Sequence, residues 1–520
     1  MASLIDSLAK VGGNTLLSRI LGFVRDMIVA RVFGADAATD AFFVAFKVPN
    51  LMRRLFAEGA FSAALVPVLS DYRRNRGPDA LKRFVDDVAG TLGLALLAIT
   101  VLGVLAAPFL ILLFAPGFAA HAGQQALATD MLRLVFPYLL FIGLTAFAGG
   151  ILNTHERFGV PAFTPVLLNV VLIGCALWLA PRMQEPIMAL AWGVLIAGVA
   201  QVLFQLPFLA RLRLLPRPRF APRDPAVRRI GRLMLPALFG VSVAQLSLLI
   251  DTLLASFLAT GSISWLYYSD RLMEFPLGIL GVAIGTVIMP QLARQHTKNQ
   301  GGDGSGAAFS RTLDWGLRWV LLLGLPAAVG LFVLAGPMLA TLFHSGAFGP
   351  QDVRMAELSL MAYSAGLVAF MAVKVLVPGY YSRHETKTPV RIAAIALMSN
   401  LVLSLALMFP LGHAGLALAT VLGALVNAAL LLWTLIRRRI YVPAAGWLGL
   451  LFQAGTASLI LGVELWTLSG PTALWLDMDT GARVLRLGML ITSGMLLYAV
   501  ALLVLGLRPR TLFATLARSD

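Results

Sequence analysis

The chain has 520 residues, of which 59% are hydrophobic and only 13% are charged, and its net charge is +16. Soluble domains carry roughly 25% charged residues, so this composition excludes an ordinary soluble enzyme or binding domain and indicates a membrane protein. The single cysteine, Cys175, excludes a disulfide framework within the chain. Residues 1–23 lack the features of a cleaved signal peptide, so we expect the first helix to be retained.

Apolar segments long enough to cross ~30 Å of hydrocarbon follow one another along the whole chain. About fourteen are predicted, near residues 11–33, 39–70, 88–115, 128–153, 160–181, 187–210, 233–258, 263–293, 315–343, 357–381, 390–410, 414–436, 446–468 and 484–507. The pattern predicts an all-α integral membrane protein. The gaps between segments leave no room for a soluble catalytic domain.

Basic residues alternate between the predicted loops. They concentrate near residues 73–83, 157, 211–232, 294–311, 383–391 and 437–439 and in the tail from 508, whereas the intervening loops are nearly bare. By the positive-inside rule, this alternation predicts a multi-pass membrane protein with both termini in the cytoplasm. Because the positive charge is spread over many loops, nucleic acid is not an expected partner.

Short similarities between the two halves of the chain predict an internal duplication. Residues 66–70 resemble 289–293, and the pair His155-Glu156 recurs as His384-Glu385. We therefore predict a six-helix lobe over 1–210, a basic linker over 211–232, a second six-helix lobe over 233–440, and two additional helices with a tail over 441–520. Substrate sites of transporters built from repeats lie between the repeats, so a central cavity is expected.

Charged residues inside the apolar segments point to that cavity. A charge at mid-bilayer costs at least ~2.5 kcal/mol, so such side chains normally face water or one another. Asp40, Lys47 and Arg54 recur every seventh residue and would form one stripe on a helix. The predicted substrate-binding cations are Arg19, Arg25, Arg53, Arg54, Arg271 and Lys47, with Asp26, Asp40, Glu58, Asp270 and Glu274 as supporting carboxylates.

An excess of guanidinium groups in a low-dielectric cavity favours a polyanion, and the planar fork of arginine suits phosphate oxygens. The sequence therefore predicts an anionic, phosphate-bearing lipid as the cargo, with a diphosphate as a good fit. Two other roles stay open. Arg54 and Arg31 near segment ends can reach the interface, and Asp270 with Glu274 can serve as a structural ion pair.

Asp251 is a lone carboxylate in the apolar run 246–258. With Asn400 and Thr420 it would supply oxygens for a monovalent cation, or it would relay protons; a hydrogen-bonded structural carboxylate is the alternative. The six histidines show no metal-binding spacing, so no metal site and no tightly bound cofactor are expected.

Two stretches carry a resemblance to a known family. Residues 14–70, from NTLLSRILGFVRD to ALVPVLS, and residues 260–278, TGSISWLYYSDRLMEFPLG, closely resemble the MurJ (MviN) lipid II flippases of the multidrug/oligosaccharidyl-lipid/polysaccharide exporter superfamily. The resemblance implies transfer of lipid II, the undecaprenyl-diphosphate-linked peptidoglycan precursor, to the periplasmic leaflet by alternating access. The resemblance also implies that Arg19, Arg25, Arg53 and Arg271 are essential residues of the cavity. It implies supporting charges at Asp26, Asp40 and Glu274.

The same resemblance implies a groove for the lipid tail along the last two helices. It also implies a sodium site at Asp251, Asn400 and Thr420, although Ser404 stands where the family pattern has a second carboxylate. The driving force is thus left open among Na⁺, H⁺ and the membrane potential.

Two alternatives compete with this function. An exporter of another anionic glycolipid or small molecule would share the fold. A membrane-embedded transferase would need a metal-binding carboxylate motif at the membrane face, and the sequence has none.

Overall fold

The computed structural model describes residues 2–53, 60–299 and 305–507. Over these ranges the chain is helical, with an isolated bridge between Ser345 and Phe348 as its one β feature. The helices of the first half are α1 (Ala2–Phe33), α2 (Ala37–Arg53), α3 (Ala60–Asn75), α4 (Pro78–Leu105), α5 (Ala107–Phe114), α6 (Ala122–Val135), α7 (Tyr138–Thr154), α8 (Gly159–Gly174), α9 (Met188–Arg211) and α10 (Pro225–Ala255).

The helices of the second half are α11 (Ser262–Pro276), α12 (Val282–Asn299), α13 (Ser305–Val333), α14 (Ala335–Leu342), α15 (Pro350–Ser364), α16 (Leu367–Tyr381), α17 (Lys387–Arg437), α18 (Trp447–Ser469), α19 (Thr472–Leu476) and α20 (Thr480–Val504). Two π-helical turns, Cys175–Leu179 and Leu277–Gly281, interrupt the regular helices. The predicted all-α class is confirmed.

Nine helical segments within the described ranges are long and apolar enough to span a membrane, and α15 with α16, bent by 43°, makes a tenth. α17 runs for 51 residues with non-helical backbone angles at Gly412, close to the end of the predicted segment 390–410. At 1.5 Å per residue it is far longer than one span needs. The predicted total of about fourteen membrane-spanning segments is compatible with these helices and stays a prediction.

The surfaces of these helices are apolar. Phe409, Leu448 and Val504 are each more than 80% exposed, and only 28% of the apolar window of α20 is buried within the protein. A continuous coat of exposed leucine, valine and phenylalanine would cost about 25 cal/mol per Å² in water, whereas hydrocarbon solvates it. The chain is therefore a multi-pass membrane protein.

Contacts divide the chain into two compact units, residues 1–264 and 265–520. The division falls in the first turn of α11, and α10 packs with the first unit, mainly on α3. The lobes predicted from sequence similarity divide earlier, at the linker 211–232. Compactness and internal repetition are different properties, so the predicted boundaries stay a prediction.

Four helix ends share one capping geometry. In the described part of the chain, the non-glycine residues with positive φ are Glu156, Arg213, His384 and Arg439. They follow the ends of α7, α9, α16 and α17, and the next residue in each case donates its N–H to a carbonyl five residues back. Such left-handed caps satisfy free carbonyls at helix ends. Glu156 and His384 hold the same position in this cap, one residue out of step with the pairing of His155 with His384 read from the sequence, and the internal duplication stays a prediction.

The predicted basic linker lies against α4. Asp86 accepts a hydrogen bond at its carboxylate from the Arg217 N–H (2.7 Å) and at its carbonyl from the Arg219 N–H (3.0 Å). Thr91 Oγ1 accepts from the Ala221 N–H (3.1 Å). A Cβ added at Gly90 would come within 2.2 Å of the Arg219 carbonyl oxygen, so the absence of a side chain there admits the linker backbone.

We expect Gly90→Ala to detach the linker. Alanine normally stabilises a helix by ~1 kcal/mol over glycine, but here its Cβ would collide with backbone rather than with a flexible side chain. Tryptic cleavage after Arg219 in the detergent-solubilised protein should become faster. Gly93→Ala is the matched control, because a Cβ at Gly93 meets no atom within 4 Å; equal cleavage in the two variants would contradict the prediction.

Candidate functional site

Arg25 is held in a buried cluster at the seam of α1 and α8. Its Nε and one terminal nitrogen donate to Asp26 Oδ1 at 3.0 and 2.6 Å, and the other terminal nitrogen donates to Asn169 Oδ1 at 3.0 Å. Arg25 is 8% exposed and Asp26 is 2% exposed. Ser18, Gly22 and Arg25 share the helix face that meets α8, since they are spaced by four and three residues. Asp26, predicted as a supporting carboxylate without a named partner, pairs with Arg25 in the structure.

The other predicted cations of the first unit lie on α1 and α2. Arg19 is exposed on α1, and the half-buried Arg53 donates from Nε to Asn50 Oδ1 at 3.0 Å. Lys47 contacts Thr252 Oγ1 on α10, next to the candidate cation ligand Asp251. Arg54 and Glu58 lie outside the described residues.

Asp40 has partners that the sequence did not suggest. The carboxylate is 3% exposed and accepts hydrogen bonds from the Gly261 N–H (2.7 Å), the Ser264 N–H (2.8 Å) and the Ser264 hydroxyl (2.6 Å). Gly261 immediately precedes α11 and Ser264 is its third residue. The first N–H groups of a helix have no partner within the helix. Asp40 therefore caps α11 from a distant helix.

Asp40→Ala is expected to destabilise the start of α11 by about 1–2 kcal/mol, the usual cost of a lost N-cap. Hydrogen exchange at the Gly261 and Ser264 amides should accelerate. Asp36→Ala is the control, because Asp36 Oδ1 caps α2 through the Thr39 N–H (2.8 Å) and touches neither amide. Unchanged exchange at both amides in Asp40→Ala would refute the capping role.

The predicted charges of the second unit lie along α11. Arg271 donates to Glu274 Oε2 at 2.9 Å, with side chains 34% and 44% exposed, and its guanidinium lies 5.8 Å from the Tyr267 ring centroid. Asp270 is half-buried on the same helix. An exposed pair three residues apart contributes little to stability, so Arg271 can exchange Glu274 for another anion at small cost.

The candidate cation ligands divide between the units. Asp251 lies half-buried on α10 of the first unit, whereas Asn400 and Thr420 lie on α17 of the second. Within α17, the Ser404 hydroxyl donates to Asn400 Oδ1 at 3.4 Å, and the Thr420 hydroxyl donates to the Leu416 carbonyl at 3.0 Å. Over the described ranges, no group of three or more histidine, cysteine or acidic side chains could hold a metal ion.

Sequence reasoning missed Asp314 on α13. Asp314 Oδ1 accepts from Tyr441 Oη (2.7 Å), Trp447 Nε1 (2.7 Å) and the Ala444 N–H (3.1 Å), while Oδ2 accepts from Arg318 Nε (2.6 Å). One carboxylate thus fixes the loop that leads into α18 against α13. Burial and the partnership with Asp314 raise the pKa of Tyr441, so its hydroxyl stays a donor.

Ser310, one turn before Asp314, extends this anchor by exchanging hydrogen bonds with both backbone groups of Val442. The only sequence signal is the spacing of Ser310, Asp314 and Arg318 by four residues, which puts three polar side chains on one face of a helix.

Solved structures share this architecture. A structure titled "Lipid II flippase MurJ, inward closed conformation" aligns with a TM-score of 0.78 and 26% identity, covering 94% of this chain and 97% of that one. An inward-facing multidrug resistance transporter, a MATE-family member of the MOP superfamily, aligns with a TM-score of 0.64 at 16% identity over 81% of this chain and 94% of its own, which shows the fold alone. The fold and the charged residues within the apolar helices define a multi-pass membrane transporter.

Sequence comparison narrows the class to one family. Residues 29–485 match the family described as MurJ, lipid II flippase. A "Probable lipid II flippase MurJ" of Vibrio cholerae is 47% identical over 97% of this chain and 96% of its own length. The "Lipid II flippase MurJ" of Burkholderia cenocepacia is 44% identical over 89% of this chain and 90% of its own. The chain belongs to the lipid II flippase MurJ family.

Proposed function

We propose that this chain moves lipid II from the cytoplasmic to the periplasmic leaflet of the bacterial inner membrane by alternating access. The observation that carries the proposal is the likeness to MurJ flippases over almost the full length of both chains. In this proposal the chain is a transporter, so it makes and breaks no covalent bond. Both of its termini lie in the cytoplasm.

The head group would be bound through its diphosphate. Arg19, Arg25, Arg53 and Arg271 are the proposed ligands, with Lys47 and Arg54 as further cations. Guanidinium groups bind phosphate oxygens through paired, charge-assisted hydrogen bonds, which are roughly twice as strong as neutral ones. The polyprenyl tail would stay in hydrocarbon throughout, because moving it into water costs ~0.8 kcal/mol per methylene group.

Arg25 is preorganised for this role. All three of its donor nitrogens already hold acceptors, so little side-chain freedom remains to be lost on binding. Asp26 offsets the cost of burying the guanidinium, and a diphosphate, with more charge than one carboxylate, would compete for the same donors. Asp26, Asp40, Glu58, Asp270 and Glu274 are the proposed supporting carboxylates.

The function is tested by depleting the protein and measuring lipid II in each leaflet. Accumulation in the inner leaflet supports transport. Failure to synthesise lipid II would point to an enzyme, and accumulation of a different glycolipid would favour another exporter of the superfamily. Purified protein in proteoliposomes should move lipid II without added enzymes.

The membrane potential is the proposed driving force, with a cation at Asp251, Asn400 and Thr420 as the alternative. A charge crossing the membrane field changes the free energy by ~2.3 kcal/mol per 100 mV. Translocation in proteoliposomes should slow when an ionophore collapses the potential at constant Na⁺ and pH. Unchanged translocation would remove the potential from the mechanism and leave the cation.

A further inference from the structure

Asn169 contacts Arg25 from a second helix. It lies on α8, is 5% exposed, and joins two points of α1. Its Oδ1 accepts from Arg25 at 3.0 Å, and its Nδ2 donates to the Ser18 carbonyl at 3.0 Å. A reversed amide would turn an NH₂ group toward the guanidinium, so the two partners together fix the orientation of Asn169.

The neutrality of this acceptor matters as much as its position. Asp26 already supplies one negative charge to Arg25. An aspartate at position 169 would supply a second negative charge. It would oppose the approach of a phosphate, because like charges in a low-dielectric site repel strongly. An amide oxygen orients the guanidinium and leaves that charge unchanged. We propose that Asn169 is a positioning residue that fixes Arg25 through a neutral oxygen, so that Arg25 remains able to attract the diphosphate. This inference rests on the proposed function.

A plain packing role for Asn169 is the competing explanation, and the same seam offers a matched comparison. Asn14 Nδ2 donates to the Gly159 carbonyl at 2.9 Å. This bond also joins α1 to α8, but it lies three turns from Arg25. If helix packing were all that Asn169 provides, removing either bond would have similar effects.

The test measures lipid II binding to the full-length protein in nanodiscs by native mass spectrometry, with thermal stability recorded for each variant. The variants are Asn169→Ala, Asn169→Asp, Asn14→Ala, Arg25→Ala and the double variant Arg25→Ala/Asn169→Ala. Asn169→Ala should weaken binding about tenfold, as expected for loss of a hydrogen bond to a charged group. Asn169→Asp should weaken it as much, although it keeps an acceptor of the same shape.

Two controls separate positioning from packing. Asn14→Ala should bind lipid II like the wild type. In the Arg25→Ala background, where residual binding comes from the other cations, Asn169→Ala should add less than about a twofold loss, because residues that act as a unit are non-additive. Wild-type affinity for lipid II in Asn169→Ala or Asn169→Asp overturns this inference but not the proposed function. The same holds if Asn169→Ala weakens binding by about a further tenfold in the Arg25→Ala background. A wild-type protein that binds no lipid II overturns the proposed function and this inference with it.

Discussion

Arg25→Ala is expected to abolish lipid II translocation and to fail to support growth when it replaces the wild-type protein. The substitution removes a proposed phosphate ligand and breaks its buried ion pair with Asp26, which is 2% exposed. Removing one partner of a buried pair costs ~3–5 kcal/mol. Translocation in proteoliposomes and thermal unfolding in detergent measure the two consequences separately.

A double variant distinguishes lost function from lost stability. Arg25→Ala/Asp26→Ala removes both buried charges, so it should recover most of the lost stability without recovering translocation. Arg133→Ala is the matched control, because Arg133 pairs with Asp130 at 3.2 Å but the two side chains are 48% and 62% exposed. Such a pair is worth ~0–1 kcal/mol. Normal growth with Arg25→Ala would contradict the assignment of Arg25 as a ligand.

Asp314→Ala should produce the largest loss of stability in the second unit. It removes the acceptor of Tyr441, Trp447 and Arg318, and each buried donor left unpaired costs about 1–3 kcal/mol. We expect a lower unfolding temperature, together with faster amide exchange at Ala444, whose N–H bonds to Asp314.

The unfolding temperature of Asp314→Asn should lie between those of Asp314→Ala and the wild type, because asparagine keeps an oxygen acceptor but loses the charge that faces Arg318. Asp477→Ala, at an exposed aspartate of the same unit, is the control and should unfold like the wild type. An unfolding temperature for Asp314→Ala equal to that of the control would show that the loop before α18 needs no such anchor.

That Arg25 and Asp26 avoid lipid was predictable, because a charge within an apolar segment is costly. Their pairing with each other was not predictable, since adjacent residues on a helix point in different directions. The partners of Asp40 and Asp314 were not predictable either, because Gly261 and Tyr441 lie more than a hundred residues away along the chain. A helical pattern indicates which residues share a face. Which neighbouring helix that face meets depends on the packing of many side chains against one another.

The sequence by itself determined the class of this protein, because hydrocarbon requires long apolar segments with internally bonded backbones and makes each intramembrane charge costly. Those rules are local, so composition and loop charge were enough to identify a multi-pass membrane protein. Only the tertiary structure decided what each charge touches. It made Asp40 a helix cap, brought Asn169 to Arg25 and assembled four donors around Asp314, since hydrogen bonds over 2.6–3.1 Å depend on helix positions that no local pattern specifies.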